Sequence, residues 1–137
     1  MRYSGARAKG YWNVTGPEQK RRVFVVDDER AICHTLAVIL NRRGFAATAF
    51  EYPLAALAAA ESSEPELLIS DVMMPGMTGI DLAIELRQHH PNCKVLLFSG
   101  MAETNDLLVQ ARAHGYDFEL LTKPIHPEDL LSKLQAM

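Results

Sequence analysis

Four short apolar runs in this 137-residue sequence end near polar side chains of types that do chemistry. Asp27 and Asp28 follow Val23 to Val26, Asp71 follows Leu67 to Ser70, Ser99 follows Val95 to Phe98, and Lys123 comes soon after Phe118 to Leu121. Each alone has a plain structural explanation: Asp28 can cap a helix, Ser99 can end a strand, and Lys123 can be a solvated charge. If the runs are parallel strands of one sheet, their carboxyl ends share a rim, and ligands of open parallel sheets bind at that rim. Three carboxylates gathered there repel one another unless a cation sits among them. A hard divalent ion relieves the repulsion. Magnesium (Mg2+) suits the set, because it takes one or two carboxylates, keeps several waters and leaves a position for a phosphate oxygen.

A sheet of that kind needs alternating strands and helices, and five such units are legible beyond Arg22. After Val23 to Val26, a helix from about Glu29 repeats Ile32, Leu36, Ile39 and Leu40 on one face. Arg42, Arg43 and Gly44 close it, cations at the carbonyl end of the dipole and glycine at a left-handed position. A second strand is expected from Phe45 to Phe50, with Pro53 opening the second helix. The third strand is Leu67 to Ser70, and Thr78 with Asp81 forms a capping pair for the third helix. The fourth strand is Val95 to Phe98, the fourth helix about Glu103 to Ala113, the fifth strand Phe118 to Leu121, and the last helix starts at Pro127. VFVV, LLIS and VLLF are apolar without alternation, as expected where helices cover both faces of a sheet. The pattern predicts an α/β, doubly wound (βα)5 sandwich.

Charge divides the chain. The formal net charge of −3 combines +5 in Met1 to Arg22 with −8 beyond it. Residues 1–21 read as a flexible basic N-terminal arm and 22–137 as one domain, large enough for a core without disulfides. An acidic body argues against a nucleic-acid partner. No apolar stretch approaches the length of a membrane span or a secretory signal, so a cytoplasmic location and no membrane partner are expected. Cys33 and Cys93 have no CxxC spacing and read as reduced structural thiols.

The residues at the strand ends resemble the receiver domains of two-component response regulators. The likeness covers about Arg22 to Met137 and rests on Asp27-Asp28, on Asp71 to Gly79 (DVMMPGMTG), on Ser99-Gly100 and on Lys123-Pro124. It implies a flavodoxin-like, CheY-like parallel sheet in the order 2-1-3-4-5 and a protein of phosphorelay signal transduction rather than an enzyme. Asp71 would be the phosphoacceptor, attacking the phosphohistidine of a sensor histidine kinase or phosphotransfer protein. Asp28 and Asp71 with the backbone carbonyl of Met73 would hold Mg2+, and Asp27 would orient a water on it. Lys123 would supply a second cation, Ser99 would donate its hydroxyl to the phosphoryl group, and Gly100 would leave room for the phosphodonor. The likeness also implies a cis peptide at Lys123-Pro124.

One position departs from the family pattern. Three residues before Lys123, where many receivers carry an aromatic switch residue, stands Leu120, with Phe118 two positions earlier. Either Leu120 repacks without an aromatic flip when Ser99 moves, or a bulge in the fifth strand lets Phe118 substitute; the first is favoured. Met73 and Met101 flank the expected path of hydrolytic water and cannot orient it strongly, which predicts slow self-dephosphorylation. Two other readings compete. A magnesium-dependent phosphohydrolase also uses an aspartate nucleophile, but here Val72-Met73 leave no acid/base carboxylate two residues on. A degenerate receiver would bind partners unphosphorylated. With fourteen residues after Lys123, output is expected through a protein surface of the fourth helix, fifth strand and fifth helix toward a downstream protein target, from a monomer or weak homodimer.

Overall fold

The computed structural model describes residues 20–100 and 104–137. Five strands form one parallel sheet: β1 (Arg22–Val26), β2 (Ala46–Phe50), β3 (Leu67–Asp71), β4 (Lys94–Ser99) and β5 (Glu119–Thr122). Between and after them run α1 (Arg30–Arg42), α2 (Pro53–Ala60), α3 (Gly79–His89), α4 (Thr104–Ala113) and α5 (Pro127–Ala136). The strand order is β2-β1-β3-β4-β5, so the order reverses between β1 and β3, and all four pairings are parallel. This is the doubly wound sandwich that the apolar runs imply.

Successive strand residues point to opposite faces, and each face carries its own core. On one, Val23, Val25, Leu67, Ile69, Leu96 and Phe98 pack with Leu36 and Leu40 of α1 and Leu130, Leu131 and Leu134 of α5. On the other, Phe24, Val26, Leu68, Val95 and Leu97 pack with α2, α3 and α4 through Ala56, Ala60, Leu82, Leu86, Leu108 and Ala111. Each fully buried aliphatic side chain contributes about 1.5 to 3 kcal/mol. The two layers hold the strand ends in fixed register from both sides.

Local signals act where the sequence puts them. Thr78 Oγ1 accepts from the Asp81 N–H at 3.1 Å and Asp81 returns the bond to the Thr78 N–H, a reciprocal capping box at the head of α3. Gly44 has φ +95°, the left-handed conformation that ends α1. Several boundaries shift by a residue. β2 starts at Ala46 because the Phe45 N–H is taken by the Leu40 carbonyl at 3.1 Å, closing α1. β5 starts at Glu119, since pairing with β4 begins at Leu96↔Glu119, while Phe118 turns into the core beside Tyr116 and Arg87. Glu103, expected to open the fourth helix, lies outside the described residues.

The expected arm of residues 1–21 lies almost wholly outside the described residues. Its last member, Arg21, donates through its guanidinium to the carbonyls of Leu134 at 3.1 Å and Met137 at 3.2 Å, joining the start of β1 to the end of α5. No described helix is long and apolar enough to cross a membrane.

Candidate functional site

The carboxyl ends of β1, β3, β4 and β5 bring their polar residues together. Asp27 follows the last residue of β1, its N–H bonded to the Phe50 carbonyl at 3.1 Å. Its Oδ1 accepts from the Glu29 N–H at 2.9 Å, which turns the chain into α1 and leaves Asp28 outermost and exposed. Asp71 ends β3 opposite Phe98 of β4. Behind it, α3 comes so close that a Cβ on Gly79 would collide with the Asp71 carbonyl oxygen, while the Gly79 N–H donates to the Val72 carbonyl at 2.8 Å. Ser70 Oγ donates to the Asp71 carbonyl at 2.9 Å. The backbone that carries Asp71 is thus fixed from two sides.

Asp27, Asp28 and Asp71 each offer a carboxylate oxygen within 4.8 Å of the others. Asp27 is wholly buried and Asp71 nearly so. Burial pushes the Asp27 carboxyl up to about 6, with the charges of Asp71 and Asp28 adding to the rise and the Glu29 N–H and Lys123 opposing it. Burial also raises Asp71, against the pull of the Lys123 ammonium and its hydrogen bond. Lys123 Nζ lies 3.5 Å from Asp71 Oδ1 and 4.0 Å from Asp27 Oδ2, over the Phe98 ring at 5.3 Å from its centroid. Its backbone N–H donates to the Ser99 carbonyl at 3.1 Å, and the Lys123-Pro124 peptide is cis.

Among the described residues, one cation stands against three carboxylates here. Among the described residues Asp27 Oδ2 is buried with no hydrogen-bond partner, and an anionic oxygen in that condition is unfavourable unless a cation approaches it. The donor set is all oxygen, which is the preference of Mg2+. The residues therefore fit a hard divalent ion.

The buried polar side chains among the described residues are Asp27, Ser70, Asp71, Ser99 and Thr104. All belong to this rim. Ser99 Oγ and Thr104 Oγ1 lie 2.7 Å apart, both buried, so the first residue of α4 is bonded to the last residue of β4. Sequence reading misses Thr104, because a threonine at a helix start is fully accounted for as a cap. Its spacing of five residues beyond a strand-end serine is the signal that could have marked it.

Gly100 lies beside Lys123: a Cβ there would sit 3.6 Å from the Lys123 Cβ, an ordinary contact. Met73, two residues beyond Asp71, is 42% exposed. Met101 lies outside the described residues. Leu120 is half-buried on the α2–α3–α4 face and pairs in regular register with Leu97. The pairing from Glu119 to Thr122 runs without a bulge, and Phe118 is already in the core.

Comparison with known proteins bears on this geometry. The response regulator receiver domain family matches residues 23–135. The probable transcriptional regulatory protein TcrX of Mycobacterium tuberculosis is 32% identical over 115 residues, 84% of this chain and 48% of that protein. The chain thus spans about half the length of such relatives. Among solved structures, the Vibrio cholerae chemotaxis protein CheY4 is 28% identical, with a TM-score of 0.76 over 85% of this chain and 98% of that one. The Thermotoga maritima response regulator TrrA, solved in complex with Mg2+-BeF, is also 28% identical, with a TM-score of 0.73 over 85% and 97%. Some relatives are described as DNA-binding response regulators, so the expectation of no nucleic-acid partner, drawn from the acidic charge alone, is without support. Fold, strand-end chemistry and these likenesses agree that the chain belongs to the response regulator receiver domain family.

Proposed function

We propose that Asp71 is the phosphoacceptor of this receiver and that its phosphorylation switches a protein-binding surface. The observation that carries the reading is the Lys123 ammonium 3.5 Å from Asp71 Oδ1, beside the buried carboxylate of Asp27. Lys123 opposes the effect of burial on Asp71 and so favours the ionised carboxylate, the form that acts as a nucleophile. One carboxylate oxygen attacks phosphorus, the phosphorus–nitrogen bond of the donor phosphohistidine breaks, and the imidazole departs with the electron pair and takes a proton. Lys123 then has a phosphoryl oxygen as an additional anionic partner.

Asp28 and Asp71 with the backbone carbonyl of Met73 would hold Mg2+ and Asp27 would orient a water on it; when bound, the ion would offset negative charge on the phosphoryl oxygens. Ser99 donates its hydroxyl to the phosphoryl group, and Gly100 leaves the approach open. The added charge, about −1.5 to −2, favours whichever arrangement brings Ser99 and Lys123 closer to it. Leu120, half-buried against the core of that face, is the switch residue in place of an aromatic. The donor is a sensor histidine kinase or a phosphotransfer protein of the cytoplasm, and the readout surface is α4, β5 and α5. The protein acts as phosphoacceptor, with no turnover of a separate substrate.

Incubation with Mg2+ and acetyl phosphate followed by intact mass measurement tests the reading. Gain of a single phosphate that Asp71→Asn abolishes is the expected result. Absence of uptake by the unmodified protein would overturn it in favour of a degenerate receiver.

A further inference from the structure

The hydroxyl that would sense the phosphoryl group is not isolated. Ser99 Oγ, at the end of β4, is buried and lies 2.7 Å from the Oγ1 of Thr104, which is 1% exposed at the first position of α4. A hydroxyl has one proton to give and two lone pairs to receive with. Ser99 can therefore donate to a phosphoryl oxygen while accepting from Thr104, but it cannot donate to both.

We propose that Thr104 is a positioning residue for Ser99: its hydroxyl donates to Ser99 Oγ, leaves the Ser99 proton for the phosphoryl group, and links that event to the first turn of α4. The inference rests on Ser99 being the phosphoryl-sensing hydroxyl. Two considerations favour this direction of donation. A bond from Ser99 to an anionic oxygen is stronger than one between neutral hydroxyls, so the arrangement that frees the Ser99 proton is selected once the phosphoryl group forms. Donors in series also polarise one another, which strengthens the Ser99 bond when Thr104 donates into it. Because Thr104 begins α4, displacement of Ser99 toward Asp71 either draws that turn after it or breaks the link. In both cases the start of α4 registers the modification without an aromatic side chain.

Thr104→Val keeps the β-branched shape and removes the hydroxyl, and Thr104→Ser keeps the hydroxyl and removes a methyl. Affinity for beryllofluoride in Mg2+, a phosphoryl mimic, is measured by titration for the unmodified protein and both variants, with thermal midpoints alongside. Loss of one donor in series weakens the mimic about three- to tenfold in Thr104→Val, with recovery in Thr104→Ser whatever the two midpoints do. In the same titration, amide NMR shifts of Leu107 to Ala111 on mimic binding shrink in the valine variant only. Equal affinities and equal α4 shifts in all three proteins would overturn the proposal while leaving Asp71 as acceptor. If the unmodified protein binds no mimic and gains no phosphate, both readings fall together.

Discussion

Gly79 lies against the carbonyl of Asp71 with no room for a side chain between them: a Cβ would collide with that oxygen and stand 2.9 Å from the carbonyl carbon and 3.0 Å from Ser70 Oγ. The conformation of Gly79 is an ordinary helical one, so the restriction is space rather than backbone strain. The head of α3 presses on the end of β3, and this contact sets how far Asp71 projects into the rim.

Gly79→Ala is therefore expected to destabilise the protein by about 1 to 3 kcal/mol, as overpacking of a dense interior does. It should also slow phosphorylation of Asp71, because relief requires the two elements to separate. Urea unfolding gives the first quantity and acetyl phosphate labelling the second. Gly44→Ala, at a left-handed position with open space around it, should reduce stability without slowing labelling.

Stability in a chelator should fall as pH rises from about 4 to beyond 6. The folded Asp27 carboxyl titrates near 6 against an ordinary value of 3.8, so the folded state binds the proton more tightly than the unfolded chain. Its contribution is complete below the unfolded value and is lost as pH passes the folded one, on the order of 2 to 3 kcal/mol across the window. Asp27→Asn should flatten this part of the curve and be the more stable protein at pH 7.5. Denaturant melts from pH 3.5 to 8 decide it, and an unchanged slope in the variant would refute the assignment.

Mg2+ should restore at neutral pH what the crowded carboxylates remove. At ten times its dissociation constant, an ion bound only by the folded state adds about 1.4 kcal/mol, a rise of roughly 3 to 6 °C for a domain of this size. The rise should be absent in Asp28→Ala, which leaves the buried pair Asp27 and Asp71 in place. Differential scanning calorimetry with and without Mg2+ measures it.

Met73→Glu should shorten the lifetime of the aspartyl phosphate several-fold. Met73 is exposed two residues beyond Asp71, and its thioether is at most a weak acceptor for a water approaching phosphorus, whereas a carboxylate orients one well. Loss of phosphate followed by mass after removal of the donor gives the half-life. No change would mean that water reaches the phosphoryl group by another path.

Most of this site is legible before folding because parallel sheets put strand ends together. Asp27, Asp71, Ser99 and Lys123 each end or follow an apolar run, so reading four local patterns suffices to assemble them. Thr78 with Asp81, Pro53 and Gly44 act within one turn of chain, and they stand where local chemistry puts them. What sequence does not reveal depends on distance or on burial. The Arg21 bond to the Leu134 carbonyl crosses 113 positions. Thr104 looks like any helix-opening threonine until its burial is seen. Phe118 belongs by composition to the fifth strand, yet its packing against Tyr116 and Arg87 keeps it out of the ladder.

The bonds from Arg21 to the carbonyl of Leu134 in the last turn of α5 and to that of Met137 just past it tie down that end of the helix. Movement begun at Lys123 would enter α5 at Pro127, while the turn around Leu134 stays held. The helix would then swing as a lever of about 15 Å on a fulcrum at Arg21. Its travel would be greatest beside the rim of strand ends and least at the base of the sheet.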